Sequence, residues 1–362
     1  MADAPFPPFA PTRELYTLTQ QWMQGLDALG ALTPDDIEIG PSPREAVYAE
    51  DKLTLYRYPL PEEVTPAAGS PLLIVYALVN RPDMVDLQED RSLVRNLLNQ
   101  GIEVYLIDWG YPSRIDRHLT LDDYINGYID ACVDVVRERH GLDAINLLGI
   151  CQGGVFSTCY AALHPEKVRT LTTMVAPIDF HVEATAETGL LNAWMRDTDI
   201  DLMVDAMGNM PGDFMNFGYL MLKPYALSVQ KYVEMVDVMG DERKLLNFLR
   251  MEKWIFDSPD QAGEAFRQFN QQFYIDNKLI KGEVEIGDDT VDLQDVTMPV
   301  LNIYAEKDHL VPPTSSQALG AHVGTQDYTV QSYPVGHIGM YVSGKVQRSL
   351  APAIAEWLAE RA

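Results

Sequence analysis

The sequence predicts an α/β protein with a mostly parallel central sheet, helices on both faces and a helical cap inserted late in the chain. Three observations carry this. Short, continuous apolar runs alternate with helical patterns through the first half. The alternation stops after Pro177 and resumes at Val300. The stretch between is rich in methionine and aromatic residues. Short apolar runs without polar alternation read as strands buried on both faces, the habit of parallel sheets, and alternating β and α segments build such a sheet.

The elements follow in order. Pro71–Val79 (PLLIVYALV) and Glu103–Trp109 (EVYLIDW) are the first two apolar runs. Thr120 then stands ahead of Leu121-Asp122-Asp123, an N-cap with acids in the first turn, and predicts a helix running to His140-Gly141. Ala144–Ile150 reads as a strand, Gln152 towards His164 as a helix stopped by Pro165, and Thr170–Ala176 as the next strand. Val300–Ala305 resumes the rhythm. Residues from about 180 to 290 read as mostly helical, with nine of the fifteen methionines between Met195 and Met251, among aromatics such as Trp194, Phe214, Phe217, Tyr219 and Tyr225. Taken singly, each methionine is an ordinary core residue. As a group of flexible, polarisable side chains they suggest a mobile apolar lid. The expected division is therefore a core of residues 1–178 and 292–362, with residues 179–291 as the cap.

Composition narrows the function classes. The chain has 362 residues, 47% hydrophobic, enough for a large core, and a formal net charge of −26. A chain so acidic is repelled by phosphate backbones, which excludes general nucleic-acid binding. Three cysteines, Cys132, Cys151 and Cys159, are too few for a disulfide scaffold, and no Cys/His cluster has zinc-ligand spacing, so no metal is expected. The opening MADAPFPPFAPTRELYTLTQ lacks the features of a signal peptide, and no run of eighteen apolar residues occurs. The expected location is the cytoplasm.

The chemistry concentrates at Gly149-Ile150-Cys151-Gln152-Gly153-Gly154, where a buried strand runs into Gly-x-Cys-x-Gly-Gly and then a helix. This is the nucleophile-elbow pattern of α/β-hydrolases with cysteine in the serine position. So sharp a turn crowds its neighbours, and glycines two before and two after remove the clashing side chains. The sulfur then stands at a helix N-terminus, where free amides and the helix dipole favour a thiolate. Cys132 and Cys159 fit packing instead.

The thiol needs a base and an acid. His118, His140, His164, His181 and His322 lack a supporting context. His337, in Gly336-His337-Ile338-Gly339 after the last strand, is where the histidine of this fold belongs. The acid is expected between nucleophile and histidine in chain order. Asp308 directly follows the strand Val300–Ala305, and Asp179, after the strand ending at Ala176, competes for the role. The oxyanion hole is expected from the amides of Gln152 and of Val79, in the loop Ala77-Leu78-Val79-Asn80-Arg81. His309 and Asn80 are candidate substrate-binding residues.

The whole set resembles the catalytic subunit of class III polyhydroxyalkanoate synthases, the type that works with a second, non-catalytic subunit. The resemblance rests on the GICQGG elbow, Tyr274–Glu283 (YIDNKLIKGE), EKDHLVPP after a strand and GHIGM near the end. Gly212-Asp213-Phe214-Met215-Asn216 and Met221-Leu222-Lys223-Pro224 are also similar. It implies polymerisation of (R)-3-hydroxyacyl-CoA, 3-hydroxybutyryl-CoA foremost, into a growing polyester chain at a storage granule. CoA is then part of substrate and product, and no separate cofactor is needed. It also implies the second subunit as partner, within a homo- or hetero-oligomer. Asp308 then either orients His337 or helps activate the 3-hydroxyl. CoA is a polyanion, and Arg81, Lys223 and Lys231 are candidates to receive it. A cysteine hydrolase or thioesterase of the same fold, and a non-catalytic granule scaffold, are the alternatives.

Overall fold

The computed structural model describes residues 30–362 apart from 68, 70, 184, 186 and 187, so the stretch read for a signal peptide lies outside the described residues. Eight strands form the main sheet: β1 (Glu45–Glu50), β2 (Leu53–Tyr58), β3 (Leu72–Val75), β4 (Val104–Asp108), β5 (Ile145–Ile150), β6 (Val168–Met174), β7 (Val300–Ala305) and β8 (Tyr328–Tyr333). Their order across the sheet is β1-β2-β4-β3-β5-β6-β7-β8. All pairs from β4 to β8 are parallel, and β1 and β2 add an antiparallel edge.

The continuous apolar runs have a direct explanation. Along β3, Leu73 and Val75 face one hydrophobic cluster and Leu72 and Ile74 the other. The first cluster is closed by α2 (Asp130–His140, preceded by a π-helical turn Asp123–Ile129) and α3 (Gln152–Leu163). The second is closed by α1 (Leu93–Leu98) and the C-terminal helix Gly344–Ala359. Both side-chain faces are buried, so both alternate positions must be apolar. Two strands of the sheet, β1 and β2, were not anticipated, and β8 was expected only as an unplaced last strand ahead of His337. β1 and β8 lie at the edges and β2 beside one, and their partly exposed, alternating sequences, such as YTVQSY in β8, carry no continuous run.

Between β6 and β7 lie α4 (Leu190–Arg196), α5 (Ile200–Met207), α6 (Gly212–Met221), α7 (Lys231–Val238), α8 (Glu242–Phe256) and α9 (Gly263–Phe269). Leu191, Met195, Ile200, Val204, Met210, Met215 and Phe266 make a separate hydrophobic cluster. From Ala262 onward the chain packs into the core cluster, through Phe269, Phe273, Leu279 and a small hairpin of Val284–Ile286 and Asp289–Val291. Among the described residues no helix is long and apolar enough to cross a membrane.

The register brings the carboxyl ends of the central strands level: Ile150 pairs with Met174, and Met174 with Ile303. Cys151 follows β5 directly, with φ 55° and ψ −123°, a conformation that a non-glycine residue holds only under constraint. The constraint is close packing. A Cβ on Gly153 would lie 2.2 Å from the Val75 carbonyl oxygen, and one on Gly149 would lie 2.6 Å from the Gly154 Cα. We expect Gly153→Ala to cost about 1–3 kcal/mol or more, because the obstacle is backbone rather than a movable side chain. Thermal unfolding of the variant checks this; an unchanged Tm contradicts the close approach.

Candidate active site

The site assembles where three strands end. Cys151 follows β5, Asp308 follows β7 and His337 follows β8. Asp308 Oδ2 lies 2.7 Å from His337 Nδ1, and both residues are buried, at 1% and 5% exposure. The other carboxylate oxygen, Oδ1, accepts hydrogen bonds from the amides of Leu310 (2.9 Å) and Val311 (3.0 Å). With Nδ1 held by Asp308, the remaining ring nitrogen is left for Cys151, whose sulfur lines the same cavity and acts on the imidazole's charge. The structure thus brings Cys151, His337 and Asp308 together. Asp179 is committed elsewhere: its Oδ1 accepts from the Asn277 side chain and the His181 amide, both at 2.9 Å. That bond gives the Asn277 of YIDNKLIKGE its role, which is to fix the loop leaving β6.

The electrostatics separate two adjacent histidines. Burial acts to push the His337 imidazole down, but the Asp308 carboxylate and then the Cys151 sulfur outweigh it, so it stays protonated well above its ordinary 6.5. Burial pushes His309 down to about 4, helped by the Lys223 ammonium and resisted by Asp308. His309 is thus a neutral imidazole at physiological pH. The other two thiols are buried, and burial pushes Cys132 up and Cys159 up to about 12, as packing cysteines.

A cavity of about 250 Å³ opens over the sulfur. Val79, Asn80, Gln152, His309 and His337 line it from the core, and Met195, Met203, Met210 and Met215 from between β6 and β7. Met207 and Met221 are exposed, and Met251 packs at the core. The Gln152 side chain has a task the sequence did not reveal: its Oε1 accepts from the Leu78 amide at 3.0 Å, fixing the loop that carries Val79. The Asn80 side chain lines the cavity but donates to the Ile255 carbonyl (3.2 Å) and Ser258 Oγ (2.5 Å), tying this loop to the end of α8. Of the three cations singled out for a polyanion, Arg81 pairs with Asp108 and Asp83, and Lys231 lies 2.8 and 3.0 Å from the two Glu252 oxygens. Lys223 is exposed, and its charge reaches His309.

Comparison with known proteins fits this geometry. The α/β-hydrolase fold family matches residues 70–343. The monoacylglycerol lipase of Paleococcus ferrophilus shares the fold, with a TM-score of 0.53 at 17% identity over 85% of this chain and 99% of that one. Poly(3-hydroxyalkanoate) polymerase subunit PhaC of Synechocystis sp. is 62% identical over 356 residues, 96% of this chain and 92% of that protein. The protein of the same name from Allochromatium vinosum is 58% identical, covering 97% of both chains. The Haloferax mediterranei protein is 43% identical over 94% of this chain and 70% of its own. The chain belongs to the poly(3-hydroxyalkanoate) polymerase PhaC family, on an α/β-hydrolase fold.

The two imidazoles load stability with opposite signs. His337 contributes fully below about pH 6.5, and its contribution falls as pH rises through its raised folded-state value. His309 does the reverse: between about 4 and 6.5 the unfolded chain binds a proton that the folded one refuses, so stability falls as pH drops through that window. We expect His309→Gln to shallow the loss of Tm on acidification from pH 6.5 towards 4. Melting curves across that range check it; an equally steep loss in the variant contradicts the assignment.

Proposed function

We propose that the protein polymerises (R)-3-hydroxyacyl-CoA, foremost (R)-3-hydroxybutyryl-CoA, into polyhydroxyalkanoate with release of CoA, through a thioester on Cys151. The observation that carries the reading is the contact of Cys151 with a His337 oriented by Asp308, beneath an apolar cavity, in a chain of this family.

In the first half-reaction the Cys151 proton rests on His337, whose raised proton affinity favours this, and the sulfur attacks the thioester carbonyl. The Gln152 and Val79 amides receive the oxyanion. The carbon–sulfur bond to CoA then breaks, and the departing CoA sulfur takes the proton from His337. In the second half-reaction His337 accepts the proton of a 3-hydroxyl, whose oxygen attacks the Cys151 thioester. An ester forms, the bond to Cys151 breaks, and the proton returns to that sulfur. Cysteine suits the sequence of steps. Exchange of one thioester for another loses little acyl activation, so the transfer to a hydroxyl still runs downhill.

Asp308 is the orienting acid on this reading. One of its oxygens is held by His337 and the other by two amides, and it does not line the cavity, so no free carboxylate oxygen faces an incoming hydroxyl. The apolar residues above Cys151 keep water from a thioester that would otherwise hydrolyse. The relatives are named as subunits, which supports a second subunit as partner.

Incubation with (R)-3-hydroxybutyryl-CoA, with and without that second subunit, tests the reading. Polymer and free CoA are expected, and free 3-hydroxybutyrate in place of polymer would make the enzyme a thioesterase. Cys151→Ala should lose all covalent acyl-enzyme by mass spectrometry; label still attached to that variant overturns the nucleophile. Asp308→Asn should lower turnover roughly 100- to 10,000-fold while slow acylation of Cys151 persists.

A further inference from the structure

We propose that the hydroxyls of Tyr219 and Tyr274 form a subsite for the 3-oxygen of the acyl unit carried on Cys151, and thereby select 3-hydroxyacyl over unsubstituted acyl thioesters. The inference rests on the proposed function and adds to it the residues that recognise the substrate class.

Both tyrosines line the cavity over the sulfur. Several of its other polar side chains are spent within the protein. The Asn80 and Asn216 amides donate to the Ile255 carbonyl, the Asn270 amide to the Phe266 carbonyl, and the Lys231 ammonium is held by Glu252. Among the described residues, by contrast, neither the Tyr219 nor the Tyr274 hydroxyl has a hydrogen-bond partner. Both residues are half-buried, so these hydroxyls are left for whatever occupies the cavity, ligand or water, to pair.

Tyr274 is also held firmly. It sits in the π-helical turn Asn270–Ile275, a distortion that often marks functional positions. Its ring packs edge-on against Phe180, with centroids 4.9 Å apart. The backbone carbonyls of Tyr274 and Ile275 both lie 3.1 Å from His181 Nε2, which donates to them. Tyr219 comes from α6, so the two tyrosines reach the cavity that holds Cys151 from different elements. Burial raises both phenols above their ordinary value, so each stays protonated and can donate as well as accept.

That pairing fits a hydroxyl better than a carbonyl. A 3-hydroxyl can donate to one phenol while accepting from the other. The thioester carbonyl is already provided for by the amides beside Cys151, and the 3-oxygen is the next polar atom along the chain. Beyond it, a short alkyl end meets apolar walls such as Met195 and Met215. An acyl chain without the 3-oxygen leaves both hydroxyls unpaired, which is how a site built for a hydroxyl rejects an analogue that lacks it.

The test compares (R)-3-hydroxybutyryl-CoA with butyryl-CoA, reading first-turnover CoA release and the acylated mass of the intact protein. The parent enzyme should acylate faster with the hydroxylated substrate by roughly 10- to 100-fold, less than a fully dry site would give because water fits the cavity. Tyr219→Phe, Tyr274→Phe and the double variant should bring that ratio towards one, by slowing the hydroxylated substrate and sparing butyryl-CoA. An unchanged ratio, or an equal loss with both substrates, overturns the subsite. No acylation of Cys151 in the parent enzyme would overturn the proposed function and the subsite with it.

Discussion

The placement of one backbone unit governs the site. Cys151 leaves β5 at positive φ, and the helix behind it begins at once. Reversal over so few atoms brings Gly153 against the β3 carbonyl of Val75 and Gly149 against Gly154, leaving no room for a Cβ. The Cys151 amide is meanwhile bound to the Met174 carbonyl on β6, at 2.9 Å. The sulfur therefore has little choice of direction. It points past the level ends of β5, β6 and β7, where the loops after β7 and β8 deliver Asp308 and His337. Backbone strain at such a point is tolerated because the surrounding packing over-determines it.

The acid–base pair is shaped by the accounting of oxygens. A carboxylate 1% exposed must satisfy its lone pairs within the protein, and Asp308 does so with one imidazole and two amides. That arrangement keeps His337 in one orientation and raises its affinity for a proton. It is also what favours, on the proposed reading, an orienting role for Asp308 over service to a hydroxyl. The neighbouring His309 is dominated instead by burial, reinforced by Lys223 and with no carboxylate bonded to it, and stays neutral. Two adjacent histidines thus take different protonation states because of what each faces.

The central strands and the elbow were legible in the sequence because each leaves a local mark. Burial on both faces forces unbroken apolar runs, and a tight turn forces glycines at fixed offsets. The end of the second helix was equally plain: Gly141 adopts the left-handed conformation expected of a C-cap. The edge strands left no such mark, since partly exposed positions accept polar residues. Roles that depend on non-local pairing were also hidden. Nothing in the chain announces that the Gln152 side chain reaches the Leu78 amide, that Asp179 takes Asn277, or that Arg81 is neutralised by Asp108. The family motifs are similar in this respect. YIDNKLIKGE can be recognised from its letters, but its work, anchoring Asp179 and presenting Tyr274, is visible only in three dimensions.

The loop after β3 shows how the segment between β6 and β7 is joined to the chemistry. Gln152 fixes Leu78 from below. From above, Asn80 bonds the Ile255 carbonyl and Ser258, and the Trp254 indole donates to the Arg81 carbonyl at 2.7 Å. Val79, between these two attachments, is therefore positioned by the elbow on one side and by α8 on the other. Tyr111, following β4, adds a third tie through its bond to Asp257 at 2.7 Å. A displacement of α8 large enough to widen the cavity must break these bonds or carry residues 79–81 with it. Access to the cavity and the shape of the loop beside Cys151 are consequently one mechanical variable, set by a few hydrogen bonds at a single corner of the fold.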